Sequence, residues 1–310
     1  MKDDFLWVEK YRPKTIADCI LPDQTKQMFT KLRDKGEIIN LLLSGSAGTG
    51  KTTVARALCD ELGCDYIIIN GSETRGIDMV RTQVQSFAGT MSTNGKTKVV
   101  ILDEADYITP EAQAALRNLI ETFSKNCRFI FTCNFKSKII DPLLSRCSVI
   151  DFVFNKETLP QLQAQMAKRT IGILEQEGVE AEKLAVIEVV KRYSPDNRKI
   201  LNELQRYANI NGTIDSGMIS VLDSSKVQTL IEFMKKGDFK LCRQWVAENN
   251  NPDQLFAELY NNINEYVDAN SVPNLILIMG EYQHRAAFVA NAELNMAACI
   301  VEILKGVKFK

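Results

Sequence analysis

One histidine, His284, stands in a chain of 310 residues. That scarcity argues against histidine-based acid–base catalysis and against a histidine-rich metal centre, so His284 reads as a surface or packing residue. The eight cysteines (Cys19, Cys59, Cys64, Cys127, Cys133, Cys147, Cys242 and Cys299) contain no C-x-x-C pair. A zinc ribbon is therefore not expected, and scattered thiols fit small core residues in a reducing compartment. No apolar run approaches the roughly 18 residues that a bilayer crossing needs. Met1 to Asp4 lead into charge rather than an apolar segment, so neither a secretory signal nor a membrane partner is expected, and the expected location is cytoplasmic. Net charge is nearly absent too: 38 Lys and Arg against 39 Asp and Glu give −1. A surface that grips nucleic acid everywhere would be basic, so any such contact must be local.

What is present begins with an ordinary globular composition, 45% apolar and 25% charged, long enough for one large or several smaller domains. "NLLLSG" (40–45), "YIIING" (66–71), "KVVILDE" (98–104), "RFIFTCN" (128–134) and "SVIDFVF" (148–154) are apolar runs of strand length. A helical segment follows each of the first four, which predicts a parallel sheet with helices on both faces. Beyond about Asn155 strand signals fade. "KETLPQLQAQMAKRTIGILEQEG", "EKLAVIEVVKRY" and "NRKILNELQRYAN" read as helices, the last behind an "SPD" cap region. The expected organisation is an α/β domain over 1–155, a helical domain over 156–228 and an all-α domain over 229–310. "GTMSTNGKTK" (89–98) reads as a polar loop. Aromatics of the last third, among them Tyr260, Tyr266, Tyr282 and Phe288, read as helix packing.

"GSAGTGKT" spans Gly45, Ser46, Ala47, Gly48, Thr49, Gly50, Lys51 and Thr52 and fits G-x-x-x-x-G-K-[ST]. It follows a strand and opens the helical "TTVARALCDEL", the context that makes this motif specific for nucleotide phosphates. Glycines let the backbone N–H groups curl toward phosphate oxygens, and the helix adds its positive end. Lys51 is expected to reach the β- and γ-phosphates of ATP, Thr52 to ligate Mg²⁺, and Thr53 to line the site. Asp103 and Glu104 end a strand of a doubly wound sheet, over the ligand crevice. There Asp103 suits the metal and Glu104 suits activation of a water.

Asp103 to Asp106 spell DEAD, a tetrapeptide shared with RNA helicases, but no second parallel-sheet pattern follows. Four other stretches carry a different resemblance: "WVEKYRP" (7–13), "NGSETRGIDMVR" (70–81), "TPEAQAALRNLIE" (109–121) and "SRC" (145–147). Together they resemble the clamp-loader ATPases of the AAA+ superfamily, and their wording is most similar to the phage branch of that family. The resemblance implies an AAA+ ATPase domain, a helical lid and a helical collar that holds subunits together. It implies that Tyr11, Arg12 and Pro13 border the adenine, that Asn134 is a sensor of the γ-phosphate or the water, and that Arg146 is an arginine finger serving a neighbouring subunit. Arg198 falls at the lid's sensor arginine, although the family's preceding glycine is here Pro195. Asn70 matches the residue that restrains the catalytic glutamate until DNA arrives.

The same resemblance implies the partners: further copies of the chain, a distinct companion loader subunit, a DNA sliding clamp and primer–template DNA, in host cytoplasm for a phage-encoded protein. Arg75, Arg81, Lys96, Lys98 and Arg117 are the candidates for sequence-blind phosphate contacts. The expected function is that of an ATPase subunit of a clamp loader. A helicase or branch-migration motor is the alternative enzyme, and a nucleotide-stabilised scaffold the alternative without catalysis.

Overall fold

The computed structural model describes residues 5–74, 76–92, 95–155, 157–218, 226–248, 255–256, 259–260, 262–286, 288–289 and 291–310. The candidate Arg75 lies outside them. The chain divides into two compact units, residues 1–219 and 220–310.

In the first unit five strands form one parallel sheet: β1 (Leu41–Gly45), β2 (Tyr66–Asn70), β3 (Lys98–Asp103), β4 (Cys127–Cys133) and β5 (Ser148–Phe152). Their spatial order is β2-β3-β4-β1-β5. Each strand expected from the apolar runs is found, and the reason those runs are continuous is visible in the burial. Leu41, Leu43, Val99, Ile101 and Ile130 enter one core, while Leu42, Val100, Leu102, Phe129 and Phe131 enter another on the opposite face. With helices on both sides, alternate residues have no solvent face to be polar on. Each fully buried Leu, Ile or Phe contributes about 1.5–3 kcal/mol.

The first core receives α2 (Asp23–Lys35) and α3 (Lys51–Leu62), and the second receives α4 (Ile77–Ala88) and α5 (Pro110–Thr122). Helix α5 starts at a built cap, with Thr109 accepting from the Ala112 N–H and Pro110 in the first turn. A short helix α6 (Asp141–Leu144) precedes β5. Then come α7 (Leu159–Gln176), α8 (Lys183–Tyr193) and α9 (Asn197–Asn211), packed in succession around Met166, Ile173, Val186, Val189, Ile200 and Leu204. The expected cap before α9 is present: Asp196 accepts from the Lys199 N–H at 3.0 Å. A single turn near the N-terminus, α1 (Trp7–Lys10), packs on α9.

The second unit is helical, with segments Lys226–Lys235, Phe239–Glu248, Val272–Ala286 and Ala292–Gly306 around a core that includes Leu230, Trp245, Leu275, Ile278 and Ile300. Tyr282 is buried there and donates to Glu302 at 2.8 Å. Tyr260 and Phe288, expected to pack helices, are instead exposed at 61% and 78%. His284 is exposed, its ring near that of Phe288. All eight cysteines are free, six of them buried. Among the described residues no helix is long and apolar enough to cross a membrane.

Candidate functional site

The loop between β1 and α3 wraps around the Lys51 side chain. Lys51 is 8% exposed, and its ammonium donates to the carbonyls of Gly45 and Ser46, both at 2.7 Å, and to Asn134 Oδ1 at 2.9 Å. Burial holds its pKa below the ordinary lysine value, because taking an ammonium out of water disfavours the charged form. Gly48 and Gly50 sit at φ +72° and +91°, in the left-handed region where a side chain is strained. These turns bring the start of α3 up to the loop, so that free N–H groups of its first turn face the cleft.

The acidic pair lies one strand over. Thr52 Oγ1 donates to Asp103 Oδ1 at 2.6 Å, and Thr132 Oγ1 donates to the same oxygen at 2.5 Å. Hydroxyl and carboxylate oxygens at this spacing are the hard donors that Mg²⁺ accepts, one or two from protein and the rest from phosphates and water. Glu104 follows at φ +53°, ψ +45°, a left-handed conformation in a residue with a side chain. Its N–H donates to Thr132 Oγ1 at 3.1 Å. Asn70 ends β2 directly opposite Asp103 in the sheet register, and its Oδ1 accepts from the N–H and hydroxyl of Ser72 at 3.0 and 2.8 Å.

The cleft is closed by two elements distant in sequence. From the N-terminal segment come Val8, Tyr11, Arg12, Pro13, Cys19 and Ile20, and from the helices α7 and α9 come Met166, Arg169, Asn197, Arg198 and Leu201. With Ala47–Thr53, Asp103, Glu104 and Asn134 they surround about 1040 Å³ of space, including its mouth. The N-terminal segment is tied to the helices by specific bonds. Tyr11 donates to Glu177 Oε1 at 2.6 Å, and Lys10 pairs with the same oxygen at 2.8 Å. The Lys10 bond, followed by that from Tyr11, holds the Glu177 carboxyl below its ordinary range. Arg169 donates to the carbonyls of Asp18 and Tyr11 at 2.7 and 2.8 Å, and Gln205 accepts from the Trp7 N–H at 3.0 Å. On the other side Arg12 reaches Thr53 Oγ1 at 3.5 Å.

The residues singled out from the sequence thus divide. Tyr11, Arg12, Pro13, Ala47 to Thr53, Asp103, Glu104, Asn134 and Arg198 line one cleft, with the Gly45 and Ser46 carbonyls beneath Lys51. Arg146 does not line it. It pairs with Glu121 and donates to the Pro142 carbonyl at 2.8 Å, and the bond holds the Glu121 carboxyl below its ordinary range. Arg81 on α4 and Arg117 on α5 are exposed, on helices packed side by side. Lys96 is exposed and donates to the carbonyl of Leu62 at the far end of α3.

Lys98 requires a correction. Of its two readings, the end of the polar run and the start of the strand "KVVILDE", the second holds: Lys98 is the first residue of β3 and only 5% exposed, not an exposed phosphate contact. Its ammonium donates to the Phe87 carbonyl at 3.1 Å and to Thr90 Oγ1, over the Phe87 ring. A lysine spent on capping the end of α4 is not available to a phosphate backbone.

Four contributors went unrecognised in the sequence. Thr132 bonds both acidic residues. Asp106 Oδ2 accepts the N–H groups of Asn134 and Phe135 at 3.3 and 3.2 Å, fixing the turn that carries Asn134. Arg169 holds the N-terminal segment. Asp196 fills the space beside Gly48, where a Cβ would stand 1.7 Å from its Oδ1, and the next N–H, from Asn197, donates to the Gly48 carbonyl at 3.1 Å. Asp106 carried a signal as the last letter of DEAD, and Asp196 one as the cap of "SPD", though neither pointed to these contacts.

Comparison with known proteins agrees with this geometry. Residues 41–155 match the model of the ATPase family associated with various cellular activities (AAA), and residues 160–220 that of the sliding-clamp-loader large subunit, AAA+ ATPase lid domain. The sliding-clamp-loader large subunit of Enterobacteria phage T4 is 35% identical over 309 residues, covering 97% of this chain and 96% of the relative. That of Escherichia phage RB69 is 35% identical, over 95% and 94%. The replication factor C small subunit of Archaeoglobus fulgidus is 34% identical, over 96% and 97%. The solved structure of the Thermotoga maritima RuvB Holliday junction branch migration motor shares the fold, with a TM-score of 0.56 at 17% identity over 72% of this chain and 78% of that one. A phosphate loop, an acidic strand end and a helical lid closing one cleft, in a chain that aligns end to end with such relatives, make this protein a member of the sliding-clamp-loader family of AAA ATPases.

Proposed function

We propose that the chain is the ATPase subunit of a DNA sliding-clamp loader. ATP bound between neighbouring copies, beside a distinct companion subunit, creates the state that opens the clamp. Primer–template DNA then triggers hydrolysis, and the clamp closes on the duplex. The observation that carries this reading is that Lys51, Asn134, Thr52, Asp103 and Glu104 meet in one cleft while Arg146 stays outside it, on the surface.

In the cleft Lys51 and the loop N–H groups neutralise the β- and γ-phosphates, and Asn134, already bonded to Lys51, contacts the γ-phosphate or the water. Thr52 and Asp103 are the residues that would hold Mg²⁺, which supplies charge neutralisation at the phosphates when bound. Glu104 accepts the proton of the attacking water. Tyr11, Arg12 and Pro13 border the base, and Arg198 senses the phosphates from the lid. Arg146 leaves Glu121 to complete the site of the adjacent copy. Asn70, beside Asp103, restrains Glu104 until DNA binds, so that hydrolysis follows DNA arrival. Arg75, Arg81, Arg117 and Lys96 remain proposed phosphate contacts, and the proposed division is 1–155 for the ATPase domain, 156–228 for the lid and 229–310 for the collar.

Full-length relatives that load clamps favour this over a branch-migration motor, since the likeness to RuvB at 17% identity carries the fold alone. The test is ATP turnover by the assembled complex on primed template, with and without clamp, while strand displacement is followed. Stimulation by both ligands with no strand released is expected, and released strand with turnover rising with DNA length refutes the loader. For Arg146, mixing inactive Arg146→Ala with inactive Lys51→Ala chains restores turnover. Full activity of Arg146→Ala alone removes the finger assignment.

A further inference from the structure

We propose that Thr132 is a positioning residue for hydrolysis, its one hydroxyl fixing both the Asp103 carboxylate and the backbone turn that aims Glu104. The proposal rests on the reading of Glu104 as the base.

Thr132 is the next-to-last residue of β4 and 1% exposed, directly after the buried apolar run Phe129, Ile130 and Phe131. A hydroxyl buried at such a place is tolerated only when fully bonded. This one is. Its proton goes to Asp103 Oδ1 at 2.5 Å, and its oxygen accepts the Glu104 N–H at 3.1 Å. Since a hydroxyl carries a single proton, the direction of both bonds is fixed: the carboxylate can only accept and the N–H can only donate.

The position of the bond in the sheet explains why a side chain is needed. The ladder between β3 and β4 ends at the pair Leu102 and Phe131. One step further β3 turns away, because Glu104 adopts φ +53°, and among the described residues no other non-glycine has a positive φ. Its N–H, which has left the ladder, is met by the Thr132 side chain. L-residues avoid this conformation unless the surroundings hold them there, and held outliers gather at reacting centres. From the same oxygen, Asp103 is kept facing Thr52, 2.6 Å away. Without the hydroxyl the Glu104 N–H has no partner and Asp103 Oδ1 loses one of two donors, so both carboxylates are free to drift. A drift of an ångström is enough to lower a rate by large factors.

The test compares Thr132→Val, which keeps the shape and loses the hydroxyl, with Thr132→Ser, which keeps the hydroxyl. Both are made in the full chain, in the assembled complex with clamp and primed DNA. Thr132→Val is expected to lower kcat about tenfold or more while the affinity for a fluorescent ATP analogue stays within about twofold, the split that marks an interaction used only in the transition state. Thr132→Ser is expected to restore kcat to within about threefold of the parent. In a Glu104→Gln background, Thr132→Val is expected to lower the residual single-turnover rate by a smaller factor than it lowers that of the parent, because the part of its effect that acts through the Glu104 carboxylate is already gone and only the part through Asp103 remains. Parent-like kcat in Thr132→Val, an affinity loss matching the rate loss, failure of serine to rescue, or a full further loss in Glu104→Gln each overturns the proposal. Parent-like turnover of Glu104→Gln alone overturns the assignment of the base instead. If thermal melting shows that the valine chain does not fold, Thr132→Ala carries the same comparison.

Discussion

Asp106 gives a prediction whose size follows from two bonds and one unpaired oxygen. Its Oδ2 accepts the N–H groups of Asn134 and Phe135, at 3.3 and 3.2 Å, while its Oδ1 is buried without a hydrogen-bond partner. Bonds to a charged acceptor contribute about 1.5–3 kcal/mol each, and these lengths call for the lower end, so about 3 kcal/mol for both. Removing a 7% exposed carboxylate that leaves one oxygen unsatisfied returns roughly 1 kcal/mol of that. Asp106→Ala should therefore destabilise the first unit by about 2 kcal/mol, a fall in Tm of about 4–8 °C for a unit of this size. The freed turn carries Asn134, which receives the Lys51 ammonium, so kcat should drop about tenfold. Asp106→Asn keeps an acceptor in place and should recover most of both losses. Thermal melting of the full chain and single-turnover hydrolysis measure the two effects. Parent-like melting and turnover in Asp106→Ala would refute the reasoning. So would an asparagine variant as damaged as the alanine one, because charge rather than the acceptor would then be what the turn requires.

The depressed pKa of Lys51 has a definite sign. Its proton leaves at a lower pH than that of an exposed lysine, and phosphates favour the charged form, so ATP affinity should fall as alkaline pH passes through the value of the free protein. In that window binding takes up a proton, which calorimetry in buffers of different ionisation heat detects, and the stability of the free protein rises because the folded chain holds fewer protons. Glu121→Gln should loosen the exposed hold on Arg146 and raise turnover of the assembled complex modestly, with little change in melting. A tenfold fall would mean that Glu121 orients the arginine for its task. Gly48→Ala sets a Cβ 1.7 Å from Asp196 Oδ1 at φ +72°, and should weaken binding of a fluorescent nucleotide about tenfold or more by forcing loop and lid apart. Unchanged binding would show that the lid is not seated by that contact.

What was legible in the sequence was whatever is written in neighbouring residues. A strand, a glycine loop and a helix start appear within Leu41–Leu62, and the two-sided burial of the sheet explains why each strand showed as an unbroken apolar run. The site contacts of Thr132, Asp106 and Asp196 were not legible, because each is made to a partner on another element: Asp103 on β3, Asn134 after β4 and Gly48 in the loop. Nothing in the spacing of a lone threonine in an apolar strand distinguishes it from a filler. Lys98 was misjudged for the same reason. Its place at the end of a polar run suggested an exposed cation, while its actual partners at the end of α4, Phe87 and Thr90, lie 11 and 8 residues upstream and could not be read locally.

The stitching of the N-terminal segment bears on how the cleft comes into being as the chain is made. Trp7 finds Gln205, a partner 198 positions later, and Tyr11 finds Glu177, 166 positions later. A segment made early is thus among the last to settle. Contacts this distant along a chain form late, after the loop between them has closed. Until α9 emerges, the sheet and the phosphate loop exist without the walls that embrace a base. Nascent chains shorter than about 205 residues should hold a phosphate loop that cannot yet retain a nucleotide, and ATP would stabilise the completed unit by selecting the docked segment.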